Sequence, residues 1–147
     1  MGATARESVN YAMFWRSGLM GPQHKIAYRP EHRPFEFIVA SVSAGGDTYL
    51  LTRIKAGEKV VGLFCTTDGL GASAGAGRTL QIGDAADDDR YMLATDFDVV
   101  NASGTLAYAG SGFVPTADTD VVAKMHATNA ATVGKRVWGY LAVVPVA

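Results

Sequence analysis

The chain has 147 residues, enough for one globular domain with a proper core, since 48% of the residues are apolar. Charged residues make up only 18% and there are 17 glycines, a balance that argues against a helical bundle and fits short strands joined by tight turns. The formal net charge is −1, and a single cysteine, Cys65, excludes an intrachain disulfide. No apolar run approaches the roughly 20 residues of a membrane span, and the first residues lack a signal-peptide pattern, so we expect a soluble protein made in the cytoplasm.

Residues 1–34 differ from the rest and are predicted to form an extended N-terminal arm. They carry a charge of +3, against −4 for residues 35–147, and Gly21-Pro22, Pro30 and Pro34 interrupt any regular structure. Large apolar side chains in such an arm need a surface to cover, either the body of the same chain or a neighbouring molecule, and we favour the neighbour. The predicted contact residues are Tyr11, Phe14, Trp15 and Leu19 as apolar anchors, with Arg16 and Arg29 as charged contacts.

From residue 35 onward the pattern becomes that of strands, and residues 35–147 are predicted to form a single domain. Seven or eight short strands with little helix indicate an all-β fold, an antiparallel β-sandwich or jelly roll. The apolar run VVGLFCTT (60–67) predicts a central strand covered on both faces, with Cys65 as a buried, inert thiol. The segment RYMLATDFDVV (90–100) fits either a short helix or a broken strand. The last strand carries Trp138 and Tyr140, which we expect in the core.

Four carboxylates, those of Asp84, Asp87, Asp88 and Asp89, stand within six residues. The favoured interpretation is a turn in which Asp87 or Asp88 caps a short helical turn and an acid pairs with Arg90. Tyr91 and Leu93 would then pack inward. A Ca²⁺ site is the alternative, although the sequence is not an EF-hand loop.

Other chemistry has little support in the sequence, so we expect no enzyme, no cofactor and no metal. His24, His32 and His126 lack zinc-ligand spacing, and no serine lies in a G-x-S-x-G elbow. The glycine-rich GLGASAGAG stretch lacks the G-K-[ST] ending of a phosphate loop. Five basic residues spread over 34 positions are too dispersed for a nucleic-acid patch, so no nucleic-acid partner is expected.

Three stretches follow one another in a recognisable order over roughly residues 50–147. They are IKAGEKVVGLFCTTDGLG, RTLQIGDAADDDRYM and TADTDVVAKMHATNAATVGKRVWGYLAVV. In this order the chain resembles the head decoration, or cement, proteins of tailed phages, which have a β-sandwich body. The resemblance implies a structural virion protein on the outside of the phage head, commonly a homotrimer, whose partners are the major capsid protein and its own copies. It brings no catalytic residues, and it leaves out the arm.

Two other functions stay open. A β-sandwich can be a carbohydrate- or receptor-binding module, with Trp138 or Tyr140 as a stacking platform. The chain can also be a tail or connector component of a phage particle, which would be present in few copies.

Overall fold

The computed structural model describes residues 30–39, 47–71, 77–127 and 133–146. Within these ranges the chain forms eight strands and one short helix. In chain order they are β1 Glu31–Ile38, β2 Thr48–Ile54, β3 Glu58–Thr67, β4 Arg78–Gly83, β5 Met92–Asp96, β6 Ser103–Thr105, α1 Tyr108–Ser111, β7 Thr119–Ala127 and β8 Arg136–Pro145.

The strands build two four-stranded antiparallel sheets, which confirms the predicted all-β sandwich. The first sheet has the order β1-β8-β3-β6, and the second has the order β2-β7-β4-β5. Neighbouring strands are mostly distant in sequence, because the chain crosses repeatedly between the sheets. The long-range pairing of β1 and β3 with β8 therefore ties the two ends of the described chain together.

The core lies between the two sheets and is filled by alternate residues of each strand. In β1, Phe35 and Phe37 face inward while Glu36 and Ile38 face solvent, the period-2 pattern of a half-buried strand. The largest fully buried side chains are Tyr91, Phe97, Ile54, Leu70, Leu80, Ile82, Met92, Met125, Leu141, Val39, Val60 and Val121.

The first strand begins at Glu31, four residues before the predicted start of strand structure. It includes Pro34, which the sequence analysis treated as a breaker. In the described strands β1 pairs only with β8 and so forms an edge of its sheet. Proline is tolerated on an edge strand, where one row of backbone N–H groups has no partner strand.

The segment 90–100 contains β5 and not a helix, so the broken-strand alternative is the correct one. Met92 points into the core and is 1% exposed, which turns the adjacent Leu93 outward, where it is 60% exposed. Tyr91 is fully buried, as predicted, but the inward packing predicted for Leu93 is wrong. The reason is that neighbouring residues of a strand face opposite ways.

The prediction that β3 is covered on both faces is also wrong. The strand is central, between β8 and β6, yet Val61 and Phe64 are 39% and 38% exposed. A β-bulge between Val60 and Gly62 shifts the alternation by one residue, so that Val60 and Leu63 both face the core. The bulge explains why a strand with one open face has an almost unbroken apolar sequence.

One end of the sandwich is closed by a charged clamp that joins three strands. The Arg33 guanidinium donates hydrogen bonds to both carboxylate oxygens of Glu58 at 2.9 Å and to the Arg53 carbonyl oxygen at 2.8 Å. The side chains of Arg33 and Glu58 are only 14% and 15% exposed. Donation from Arg33 is the main cause that lowers the pKa of Glu58. The clamp connects β1 and β3 of the first sheet to β2 of the second.

Candidate functional site: an exposed aromatic sheet face

The outer face of the first sheet carries a cluster of large apolar side chains, which we call the aromatic face. It consists of Ile38, Val61, Phe64, Trp138 and Tyr140. Four of them are exposed, by 54% for Ile38, 39% for Val61, 38% for Phe64 and 41% for Tyr140, and Trp138 is half-buried. A cluster of large apolar side chains exposed on one sheet face is typical of an interaction site.

Strand register brings the aromatic side chains together. Tyr140 of β8 lies opposite Phe64 of β3 on one side and Pro34 of β1 on the other. The Phe64 and Tyr140 ring centroids are 6.2 Å apart, and the His32 ring meets Tyr140 edge-on at 5.1 Å. The rings support one another across three strands, so the surface is held in place before any partner arrives.

Strands β3 and β8 approach closely beneath these rings. Gly139 stands between Trp138 and Tyr140, and a side chain there would collide with the backbone of Phe64 and Cys65. The absence of a Cβ at Gly139 therefore allows the close contact of the two strands that display the aromatic groups.

Charged groups border the aromatic face. The Arg136 guanidinium lies over the Trp138 ring at 4.4 Å from its centroid, and its Nε is 3.8 Å from a carboxylate oxygen of Asp68. Glu36, opposite Trp138 in register, is exposed. An apolar centre with a polar rim is the usual anatomy of a protein–protein interface.

The chemistry of this face is contact and not reaction. Its central groups are rings and aliphatic chains, whose removal from water contributes about 25 cal/mol per Å² of apolar surface. Aromatic side chains are also enriched among the residues that carry the energy of interfaces. The arrangement therefore suits a macromolecular partner.

This face was not predicted from the sequence, because Trp138 and Tyr140 were expected in the core. That assignment is wrong: Tyr140 is 41% exposed, while Val137, Leu141 and Val143 of the same strand are buried. The signal was present in the alternation of β8, since residues 137, 139, 141 and 143 already supply one complete small or apolar face. The aromatic residues had to occupy the other.

The contact residues predicted in the arm lie outside the described residues, so the structure places none of them. They are Tyr11, Phe14, Trp15, Arg16, Leu19 and Arg29. Their role stays a prediction.

The acidic segment forms a turn, as predicted, but a different residue organises it. The Asp84 carboxylate is 3% exposed and accepts hydrogen bonds from the backbone N–H groups of Ala86 at 2.9 Å and Asp87 at 3.1 Å. Its other oxygen accepts from Arg90 Nε at 2.7 Å, which confirms the predicted pairing. The next element of the described chain after the cluster is strand β5 at Met92 and not a helix, so the capping role predicted for Asp87 or Asp88 is wrong. The turn folds against Gly83, where a side chain would collide with the backbone of those two residues.

The other three acids stand side by side. One carboxylate oxygen from each of Asp87, Asp88 and Asp89 lies within 4.8 Å of the others, a set that could hold a cation. A hydrogen bond with Asp87 is the main cause that raises the pKa of Asp89. Such exposed acidic groups are common without an ion, and Asp84 is already engaged with the turn. Apart from the closeness of these three carboxylates, nothing in the described residues supports the Ca²⁺ alternative.

The prediction for Cys65 is confirmed. The thiol is fully buried, and burial raises its pKa to about 12, which keeps it protonated and unreactive. Within the described ranges, no helix has the length and apolar character needed to cross a membrane.

No known family model and no curated protein matches this chain. Three solved structures share its fold. A chain from the capsid asymmetric unit of cyanophage Pam1 matches with a TM-score of 0.69 and 20% identity, over 90% of this chain and 95% of that one. A chain from the capsid of Ralstonia phage GP4 matches with a TM-score of 0.70 and 16% identity, over 90% and 94%. A chain from the acidic stable capsid of Helicobacter pylori bacteriophage KHP30 matches with a TM-score of 0.59 and 21% identity, over 82% and 91%. Over 82–90% of its length this chain therefore has the same fold as chains found in three phage capsids.

Proposed function

We propose that this chain is a structural component of a phage particle, a decoration or cement protein that binds the outer surface of the head and ties neighbouring capsomers together. One observation carries the proposal: the match to chains of three phage capsids covers most of this chain and nearly all of each partner chain. Those chains are therefore one-domain proteins of about this size, with no room for a large additional domain. A single small β-sandwich domain in a capsid is consistent with a protein that binds to a shell built by another chain.

The partners in this proposal are the major capsid protein and further copies of the chain, assembled as a homotrimer. The protein would be made in the host cytoplasm and then reside on the exterior of the virion. Neither nucleic acid, a membrane nor a catalysed reaction has a part in this function. The order β1-β8-β3-β6 facing β2-β7-β4-β5 supports a jelly-roll description of the body.

The mechanism would be mechanical. A trimer placed where capsomers meet adds buried surface across the joint and leaves the shell chains in place. Each contact can be modest, because three linked copies engage several shell subunits and raise the effective concentration of every further contact. The stabilisation of the shell would thus come from the number of contacts.

The arm supplies the proposed residues of the interface with the capsid or with a neighbouring subunit, and Tyr11, Phe14, Trp15 and Leu19 are its apolar anchors. Arg16 and Arg29 would add charged contacts, since the arm is positive and the body negative. The aromatic face gives the body a second surface for association. Both surfaces have the aromatic and arginine content of interface centres.

A second candidate, binding of a carbohydrate or a receptor glycan, is favoured by the exposure of Tyr140. Sugar rings stack on open aromatic faces. Against it, Arg136 already covers one face of Trp138, and His32 and Phe64 contact the Tyr140 ring. Titration of the protein against a glycan array separates the two functions, because a cement protein binds none of the glycans.

The proposal is tested by cryo-electron microscopy of particles from the producing phage, with the amount of this chain measured relative to the major shell protein. Density at capsomer joints and hundreds of copies per particle are expected. A few copies at one vertex or on the tail would instead support the connector alternative. Absence from the particle would refute a virion role.

The arm is tested by a double variant, Phe14→Ala with Trp15→Ala. It should lower the occupancy of shells while the unfolding temperature of the protein stays unchanged. Tyr108→Ala is the matched control, since Tyr108 is an aromatic residue of the body that is 96% exposed. Wild-type occupancy by the double variant would show that the arm does not attach the protein.

A further inference from the structure

We propose that the aromatic face is the docking site for residues 11–20 of a second copy of this chain. We call these residues the anchor segment; its sequence is YAMFWRSGLM. The inference deepens the proposed function, because it rests on the assembly of several copies and names the surface that joins them.

The aromatic face has the composition of a surface that is covered in the assembled state. Register places Phe64 of β3 and Pro34 of β1 on either side of Tyr140 of β8, so the centre of the face spans three strands. Ile38 and Val61 are further exposed apolar side chains of the same sheet, and the charged Glu36 and Arg136 lie beside Ile38. An exposed apolar centre with a charged rim is typical of an interaction site.

The anchor segment belongs to chain outside the described residues, and that chain ends beside this sheet. Residues 1–29 lead directly into β1, the edge strand of the first sheet. The segment concentrates the largest apolar side chains of the arm, Tyr11, Phe14 and Trp15 among them. The anchor segment, which is rich in apolar side chains, is therefore joined by the chain to the sheet that exposes the aromatic face.

The distance along the chain favours a neighbour over the same molecule. The eight residues of β1 extend over about 26 Å at ~3.3 Å per residue. An extended arm that folded back over its own sheet would cover that length with residues 22–29, PQHKIAYR, half of which are polar or charged and none of which is Phe, Trp, Leu or Met. The anchor segment would then lie past the end of its own aromatic face, where the face of a second copy can receive it.

Charge on the rim agrees with this placement. The anchor segment contains one charged residue, Arg16, and the exposed Glu36 borders Trp138 on the aromatic face. An arginine beside aromatic groups and opposite a carboxylate is a frequent arrangement at the centre of interfaces.

The first experiment is sedimentation velocity on the full-length chain over a range of concentrations. The face variant, Phe64→Ser with Tyr140→Ser, and the segment variant, Phe14→Ala with Trp15→Ala, should each weaken self-association at least about tenfold. The control, Leu50→Ser with Leu93→Ser, removes two exposed leucines from the second sheet and should leave association unchanged. Thermal unfolding of each variant checks that the body is folded.

The second experiment mixes the face variant with the segment variant, one of them fluorescently labelled. Each lacks one half of the contact and retains the other, so the two should associate with each other although neither associates with itself. Cis docking predicts no association on mixing, and that result would overturn the proposal. So would wild-type association of the face variant, or a wild-type chain that stays monomeric at every concentration.

Particle occupancy is measured separately, which keeps the inference distinct from the proposed function. A face variant that self-associates normally while the wild-type chain decorates shells would refute the inference and leave the function intact. If the two variants associate on mixing but the chain is absent from particles, the inference is supported and the proposed function is refuted.

Discussion

The two sheets of this protein differ in what covers their outer faces. The outer face of the first sheet is aromatic and open. The second sheet instead carries the acidic turn, which packs on Gly83, and Gln81 on that side is only 5% exposed. Ion pairs between Arg53 and Asp120 and between Lys124 and Asp88 also lie on this sheet, and Leu50 and Leu93 are its large exposed apolar exceptions.

The same strand geometry can therefore produce an outer face that meets solvent in one sheet and an outer face suited to a partner in the other. In both sheets alternate residues point into the shared core except where bulges interrupt the pattern, and the outward-facing residues are free to vary. On the second sheet they are mostly polar and meet water or the chain's own turn, as is common for antiparallel sheets. On the first sheet they include the exposed Phe64 and Tyr140 with the charged Glu36 and Arg136 beside them, so that face is suited to a partner. Mutations that separate folding from association can test this division of roles.

The largest effect on stability is expected from Asp84→Ala, on the second sheet. The change leaves the mostly buried Arg90 guanidinium and two backbone N–H groups without their acceptor. Breaking a buried ion pair in this way costs roughly 3–5 kcal/mol in the free energy of unfolding. Urea denaturation measures it, with Asp87→Ala as the control, because Asp87 is 39% exposed and 4.0 Å from Arg90. Equal losses for the two variants would contradict the assignment of Asp84 as the organiser of the turn.

Next in size is Arg33→Met, which removes the clamp between the sheets. The variant keeps an unbranched apolar stem of similar size to that of arginine but leaves Glu58 without its guanidinium donor. Hydrogen bonds to charged groups are worth about 1.5–3 kcal/mol, so the free energy of unfolding should fall by that amount. Glu31→Gln serves as the control in the same denaturation series, since Glu31 is 66% exposed and should matter little. A loss from Glu31→Gln as large as that from Arg33→Met would mean that the clamp is not the source of the effect.

The pH dependence of stability should report the same clamp. Arg33 lowers the pKa of Glu58 below its ordinary 4.5, so the unfolded state takes up a proton first as the pH falls. The stabilisation is complete above pH 4.5 and is lost as the pH falls through the lowered pKa. Unfolding measured between pH 7 and pH 3 should therefore show a steeper loss for wild type than for Arg33→Met. Parallel curves would indicate that Glu58 has no depressed pKa in the folded protein.

The smallest effect is expected from Arg53→Ala. Its ion pair with Asp120 has a distance of 2.7 Å but lies in solvent, with the two side chains 63% and 46% exposed. Solvent screens surface pairs of this kind, so they contribute little to stability. The chemical denaturation curve of the variant should coincide with that of wild type within experimental error. A larger loss would mean that the ion pairs hold the second sheet together, and the contrast between the two faces would need revision.

The sequence by itself determined the class of fold and several local features. Alternation in FEFI and VVAKM predicted strands, Cys65 was placed in the core, and the acidic run was identified as a turn paired with Arg90. These features depend on neighbours only a few residues away, which the sequence displays directly.

Only the tertiary structure decided which face of each strand meets the other sheet. A strand with apolar residues on both sides, such as β8, offers two candidate core faces, and the stacking of the sheets selects one of them. The bulge in β3 and the register of β8 between β1 and β3 settled that Phe64, Trp138 and Tyr140 face outward. Likewise, the backbone path of the acidic turn places Asp84, and not another acid of the cluster, where it accepts hydrogen bonds from two backbone N–H groups and from Arg90. Register and bulges arise from pairings between residues tens of positions apart, and local sequence pattern does not encode which pairing is made.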